Sequence, residues 1–322
     1  MPAVFRLSIL SRTETAMRRL VLFPILFAGL SLMAGCAASP EPPAAAEPIT
    51  DAAYLTADLW NDGQAEVTFY EVERTRNQYG EDAPQRFLAG SYLVKHDFDP
   101  EAMAKAGREA KVRVPAFKYA LFYEFESRSY QFKRSYVTNA AQADLTPLKA
   151  SFTSFDWCSN QYRELAFHPG GEVTMLRRSD DYGNGEGRFR YRPNAYPAAL
   201  VPMLVRALDF TAQPQRAFTV ALEDGRFVGV VARFGGRETL ELPGGAREAE
   251  RVTLVYDESV PSPVGEETDR EETYWRGVGP GRLLLRLEGA SGRYRMTLVE
   301  HVRSPYWREN LYERLTRVKT RP

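Results

Sequence analysis

The sequence predicts a mainly β protein: one large curved antiparallel sheet or open half-barrel carrying a few short helices, with a β-sandwich as the alternative. Three observations lead there. Apolar and polar residues alternate at period two through most of the chain beyond residue 64. The alternating runs are short, closed by Gly, Pro and Asp turns, and lack the helical crossovers that parallel strands need. Aromatic residues reach 12%, with 17 Tyr and 18 Phe among 322 residues, which suits pleated, half-buried surfaces.

In chain order, the first element is an address. Arg18-Arg19 precede the apolar stretch Leu20 to Leu30, followed by Leu32-Met33-Ala34-Gly35-Cys36. A basic start, a short apolar run and small residues before a cut make a secretory signal, and the run is too short for a comfortable membrane span. Met17 makes a better start than Met1, because residues 1–16 carry Glu14 and scattered polar residues that a signal does not need. Leu32 to Cys36 resembles the lipobox of bacterial lipoproteins, with Met33 where that family most often has Leu. The resemblance implies that residues 1–35 are a lipoprotein signal peptide. It also implies that Cys36 is acylated, palmitate included, and becomes the mature N-terminus. Two or three acyl chains anchor a protein stably where one binds reversibly. Ala37 follows the cysteine rather than Asp, which in the sorting rule of Gram-negative lipoproteins implies the periplasmic face of the outer membrane. Residues 36–49 are an Ala/Pro run without apolar periodicity, an extended tether.

The body follows, residues 50–322, divisible into halves 50–192 and 215–322 joined by a helical segment 196–208. Asp51 can cap a short helix with Ala52, Leu55, Leu59 and Trp60 on one face and Gly63 at its end. The first half offers strands at 65–74, with Ala65, Val67, Phe69 and Val72 opposed to the polar set, and at 87–95, 119–125, 130–138, 150–157, 161–167 and 172–178. His168-Pro169-Gly170-Gly171 is a turn. The segment from Tyr196 to Asp209 reads as a helix with Pro197 in its first turn and a kink or restart at Pro202. We expect it to cover the concave side of the sheet. In the second half, Asp224-Gly225 is a strong hairpin signal between 217–223 and 226–234. Strands are expected at 248–257, 271–277, 282–288 and 293–302, with Gly289 to Gly292 turning the last pair. Ser304-Pro305 can open a closing helix bearing Leu311, Leu315 and Val318. A closed outer-membrane barrel is disfavoured, because these strands are too irregular for a lipid-facing band.

Trp60-Asn-Asp62-Gly63-Gln-Ala65-Glu66-Val67, with Tyr79-Gly80-Glu81, Trp157-Cys158 and Gly185-Glu186-Gly187, resembles an uncharacterised family of bacterial lipoproteins. Some of its members carry the label septum formation inhibitor Maf. The Ser-x-Arg-Arg signature and α/β alternation of true Maf nucleotide pyrophosphatases are missing here, so the resemblance implies a lipoprotein and no activity. Ser159 stands where that family has Gly. The second half is loosely similar, in strand pattern alone, to periplasmic half-barrel proteins that handle lipids or lipoproteins.

Charge and composition narrow the function. Forty-two Lys+Arg balance forty-two Asp+Glu, which removes the electrostatic case for a nucleic-acid partner. Loss of residues 1–35 takes away Arg6, Arg12, Arg18, Arg19 and Glu14, leaving 38 basic and 41 acidic side chains, net −3. Once Cys36 is acylated, Cys158 is the remaining thiol; as a nucleophile it needs a base such as His96, His168 or His301. Beside Phe155 and Trp157, a packed and inert thiol is the simpler reading. Asp180 and Asp181 open an oxygen-rich stretch, Ser179 to Gly187, that could hold calcium; Asp180, Asn184 and Gly185 fit an EF-hand loop while Tyr182 and Tyr191 do not, so a glycine-rich turn is preferred. The histidines lack zinc spacing, and no cofactor is expected. Phe234-Gly235-Gly236 and Pro243-Gly244-Gly245 read as turns, and the acidic run Glu266 to Glu272 as a solvated loop. The expectation is a non-enzymatic, membrane-anchored envelope lipoprotein whose β body binds an apolar ligand, a lipid or an envelope protein.

Overall fold

The computed structural model describes residues 48–322 apart from 79–80, 127–129, 158, 265–266, 311–312, 315–317 and 319–322. Helix α1 (Ala52–Thr56) and a 3-10 turn (Asp58–Asn61) lead into β1 (Ala65–Gln78), β2 (Glu81–Asp99), the short β3 (Ala104–Lys105), β4 (Val114–Glu126) and β5 (Gln131–Ala141). Next come β6 (Pro147–Phe155), β7 (Asn160–Phe167), β8 (Glu172–Ser179) and β9 (Gly185–Arg190). β10 (Ala195–Pro197) and a 3-10 turn (Ala198–Leu200) precede helix α2 (Val201–Ala207). The second run is β11 (Gln215–Ala221), β12 (Phe227–Leu240), β13 (Arg247–Pro261), β14 (Thr268–Gly277), β15 (Leu284–Gly289) and β16 (Tyr294–Ser304).

Among the described residues, sixteen strands form one sheet in the order β10-β11-β12-β13-β14-β15-β16-β1-β2-β4-β5-β6-β7-β8-β9, with β3 added beside β2. Neighbours run antiparallel, as the sequence predicts, except for the three-residue parallel pair β10–β11. The order begins at β10 and ends at β9 without joining them, so the sheet is open. Register shifts at Asn139/Ala140, Phe234/Arg237, Val255/Val260 and Trp275/Arg276 add local twist and curl the sheet on itself. Phe117, Tyr119, Leu121, Tyr123 and Phe125 of β4 alternate into the resulting interior.

That interior is filled largely by α2, whose seven residues are all buried. Arginines fasten it there. Arg206 makes a two-pronged ion pair with Glu66, at 2.6 and 2.9 Å, between side chains that are each 4% exposed. Arg276 Nη1 donates to the carbonyls of Val205, Arg206 and Leu208 at 2.9, 3.2 and 2.8 Å, and its Nε donates to Glu250 at 3.0 Å. The last carbonyls of the helix thus find donors, and a positive charge meets the negative end of its dipole. The same end is closed by α1, where Asp51 accepts from the Tyr54 amide at 3.1 Å and Arg282 donates to Asp51 at 2.5 Å. Trp60 packs edge-on to both Tyr54 and Phe117.

Several expectations are corrected. Tyr196 and Pro197 belong to a strand rather than to a helix start, while the restart expected at Pro202 is present: Pro202 sits in the first turn of α2, where a missing N–H breaks no helical bond. Val72 parts company with Ala65, Val67 and Phe69: the latter three face outward against Val318 and Tyr306, while Val72 joins the inner core. A strand buried on both faces near its start masks its period. Phe234 to Gly236 is a bulge within β12, with Gly236 at φ +92°, rather than a turn. The expected closing helix is kept where it is described: Leu311 and Leu315 lie outside the described residues, but Glu313, Arg314 and Val318 are helical, after a 3-10 turn at Tyr306–Arg308.

Candidate functional site

Beyond the N-terminal end of α2 the interior is not filled. A cavity of about 310 Å³ lies between the start of α2, strands β4 to β7 and strands β11, β13 and β14. The antiparallel order places the turns 222–226 and 180–184 and residues 262–264 after β13 at one end of the sheet, and residues of all three border the cavity. Leu121, Phe152, Val201, Val220, Leu222 and Val260 give it apolar walls. Its volume falls within the range of small-molecule sites, equal to roughly ten waters.

The charged groups around it come in distinct settings. Arg163 of β7 reaches across to Glu223 at 2.8 Å while its guanidinium lies over the Phe152 ring at 5.5 Å. Arg226 pairs with Asp224 at 2.8 Å and Glu258 at 3.0 Å. Arg134 of β5 lies over the rings of Phe125 and Phe132 at 5.3 and 5.5 Å.

Glu272 of β14 is different. It is 1% exposed and accepts from three tyrosine hydroxyls: Tyr256 at 2.6 Å and Tyr274 at 2.8 Å on Oε2, and Tyr294 at 2.6 Å on Oε1. Tyr274 shares its strand face at i+2, Tyr256 comes from β13, and Tyr294 opens β16. The third contact depends on Gly289, which stands opposite Glu272 in the β14–β15 register. A Cβ there would lie 2.5 Å from the Tyr294 ring, so the glycine lets the ring cross the strand. Burial pushes the Glu272 carboxyl above its ordinary range, against the pull of the three hydroxyls. Burial likewise drives the Tyr256, Tyr274 and Tyr294 hydroxyls upward, and the neighbouring carboxylate adds to it, so they stay protonated donors.

The residues singled out from sequence fall elsewhere. Cys36 and Cys158 lie outside the described residues. Phe155 and Trp157, expected to pack around Cys158, are exposed at 50% and 80%. Asp180 Oδ2 accepts from the Asn160 amide at 2.9 Å and Asp181 from the Gln161 side chain at 3.4 Å, so both carboxylates tie their turn to β7. Gly185, Glu186 and Gly187, taken for the end of that turn, begin β9. Among the described residues no group of three or more His, Cys, Asp or Glu is placed to hold a metal ion. His96 bonds Asn139 and His168 bonds Thr174, each at 2.9 Å.

Glu272 was expected in strand 271–277 and also at the end of a solvated acidic loop; it is in β14, which begins already at Thr268 and buries it. The available signal was the alternation Glu272, Tyr274, Arg276, three polar-tipped side chains on one strand face.

No protein-family model and no curated protein sequence matches the chain. Among solved structures, it is similar to a β-barrel-like protein of a domain of unknown function, DUF1849, from Brucella abortus. The two share 7% identity with a TM-score of 0.48, over 74% of this chain and 97% of that one.

Proposed function

We propose that this chain is a non-enzymatic envelope lipoprotein, acylated at Cys36 at the periplasmic face of the outer membrane, whose curved β body holds an apolar ligand. One observation carries the binding role: the apolar-walled cavity of about 310 Å³ in an otherwise packed interior. A sheet serving only as scaffold has no use for such a space, since well-packed cores leave few voids larger than a water. The lipobox resemblance supports the anchor. No helix among the described residues is long and apolar enough to cross a membrane.

Two experiments test the two parts. Labelled palmitate should enter the wild-type chain and not Cys36→Ser; equal labelling would refute the anchor. Native mass spectrometry of the purified full chain should show a bound apolar molecule. Val220→Trp, which puts an indole into the cavity, should release it without unfolding the protein, and an unchanged ligand load would place binding elsewhere. A second reading, an interaction lipoprotein, is favoured by the exposure of Phe155, Trp157 and Tyr182 at 50%, 80% and 62%. It expects Trp157→Ser to lose a crosslinked partner while the cavity ligand stays.

A further inference from the structure

We propose that the cavity takes an amphiphile bearing an ammonium group, with Glu272 as its counter-charge. This deepens the apolar-ligand reading and rests on it.

A buried carboxylate is normally matched by a cation or a metal. The buried Glu66 has Arg206 and the mostly buried Glu250 has Arg276, and at the cavity the half-buried Glu223 has Arg163 while the exposed Asp224 has Arg226. Among the described residues, Glu272 has no basic group within ion-pair distance; its partners are three neutral hydroxyls. Yet it borders the cavity. Two hydroxyls occupy Oε2 and one occupies Oε1. A carboxylate offers about four acceptor sites, and these hydroxyls use three of them.

The surroundings suit the same class. Tyr136, Phe152, Tyr182, Tyr256 and Tyr274 also line the cavity, and electron-rich ring faces attract alkylammonium groups. The apolar walls contributed by Leu121, Val201 and Val220 accommodate a hydrocarbon chain. On the opposite wall Arg163 is countered by Glu223, and Arg134 lies over Phe125 and Phe132. The carboxylate puts a negative pole at β14, facing the positive charge of Arg134 across the cavity at β5.

The test uses the full chain and three probes of one chain length, dodecylammonium, dodecanol and dodecanoate, the two ions below their micelle concentrations and the alcohol below its solubility limit. Calorimetry is done at about pH 8, where an alkylammonium keeps its proton. Wild type should bind dodecylammonium about tenfold more tightly than dodecanol. Glu272→Gln, checked for folding by near-UV circular dichroism, should lose that preference and still bind dodecanol. Equal binding of the ammonium and alcohol probes by wild type, or tightest binding of dodecanoate, overturns the ammonium assignment and leaves the apolar-ligand reading standing. A preference that survives in a folded Glu272→Gln also overturns it. Absence of binding by all three probes defeats both readings. The wild-type comparison decides the matter even where the variant fails to fold.

Discussion

At Glu272 the cost of burial is written into the pH dependence of folding. Its folded value lies above the unfolded 4.5, so from there upward the native state holds a proton that the unfolded chain has lost. A native state binding more protons loses stability as pH rises through that window, and the loss levels off above the folded value. Glu272→Gln, which offers an amide oxygen to the same hydroxyls, should remove this decline from a series of thermal melts; a profile parallel to wild type would show that Glu272 does not titrate as described. Gly289 governs the same cluster from the next strand. Gly289→Ala drives its methyl into the Tyr294 ring and should cost about 1–3 kcal/mol, the usual penalty for overpacking, measured by denaturant unfolding. Neither residue stands out in the sequence, because the cluster is assembled from strands joined only by cross-strand register. Glu272 reads as one acid among several in a charged run, and Gly289 as part of a turn.

At the element scale, α2 is short and fully enclosed, so tertiary contacts rather than propensity hold it. Its ion pair makes a clean test. Arg206→Met alone leaves the Glu66 carboxylate buried without a partner and should cost about 3–5 kcal/mol. Adding Glu66→Leu should recover most of that loss, since an apolar pair of similar volume avoids the desolvation penalty. A double variant no better than the single one would show that the Gly281 and Arg282 carbonyls, also bonded to Arg206, dominate. Strands were the most legible elements. Their alternation and the Asp224-Gly225 turn follow from local chemistry, and Gly225 adopts the φ of +85° that such a turn requires. Ambiguity arose where one signal serves two structures. Gly185-Glu186-Gly187 suits a turn as well as an edge strand, and Tyr196-Pro197 suits a helix start as well as a three-residue strand end.

For the molecule as a whole, the antiparallel class was readable from periodicity and turn chemistry, but the cavity was not. Its walls come from residues more than a hundred positions apart, such as Leu121 and Val260, and no local pattern announces where a core is left unfilled. The open flank was expected, but what packs along it was not legible. Among the described residues β9 and β10 meet no strand on their outer sides, and that flank is held by side chains: Phe189 against Phe227 at 5.4 Å, Arg192 over Phe227 at 4.6 Å, and Arg163 with Glu223. Amides of β9 should therefore exchange with deuterium faster than those of the central β1 and β2. Phe227→Ala should speed β9 further while leaving β1 unchanged. Uniform exchange across the sheet would show that the flank is as firmly held as the centre.

Rings and guanidinium groups yield to small displacements that a ladder of amide bonds resists. A flank held this way gives the chamber some elastic girth, bounded by the short link from Arg190 to Ala195. A longer or branched occupant can be admitted by easing the flank apart, without breaking a single rung of the sheet.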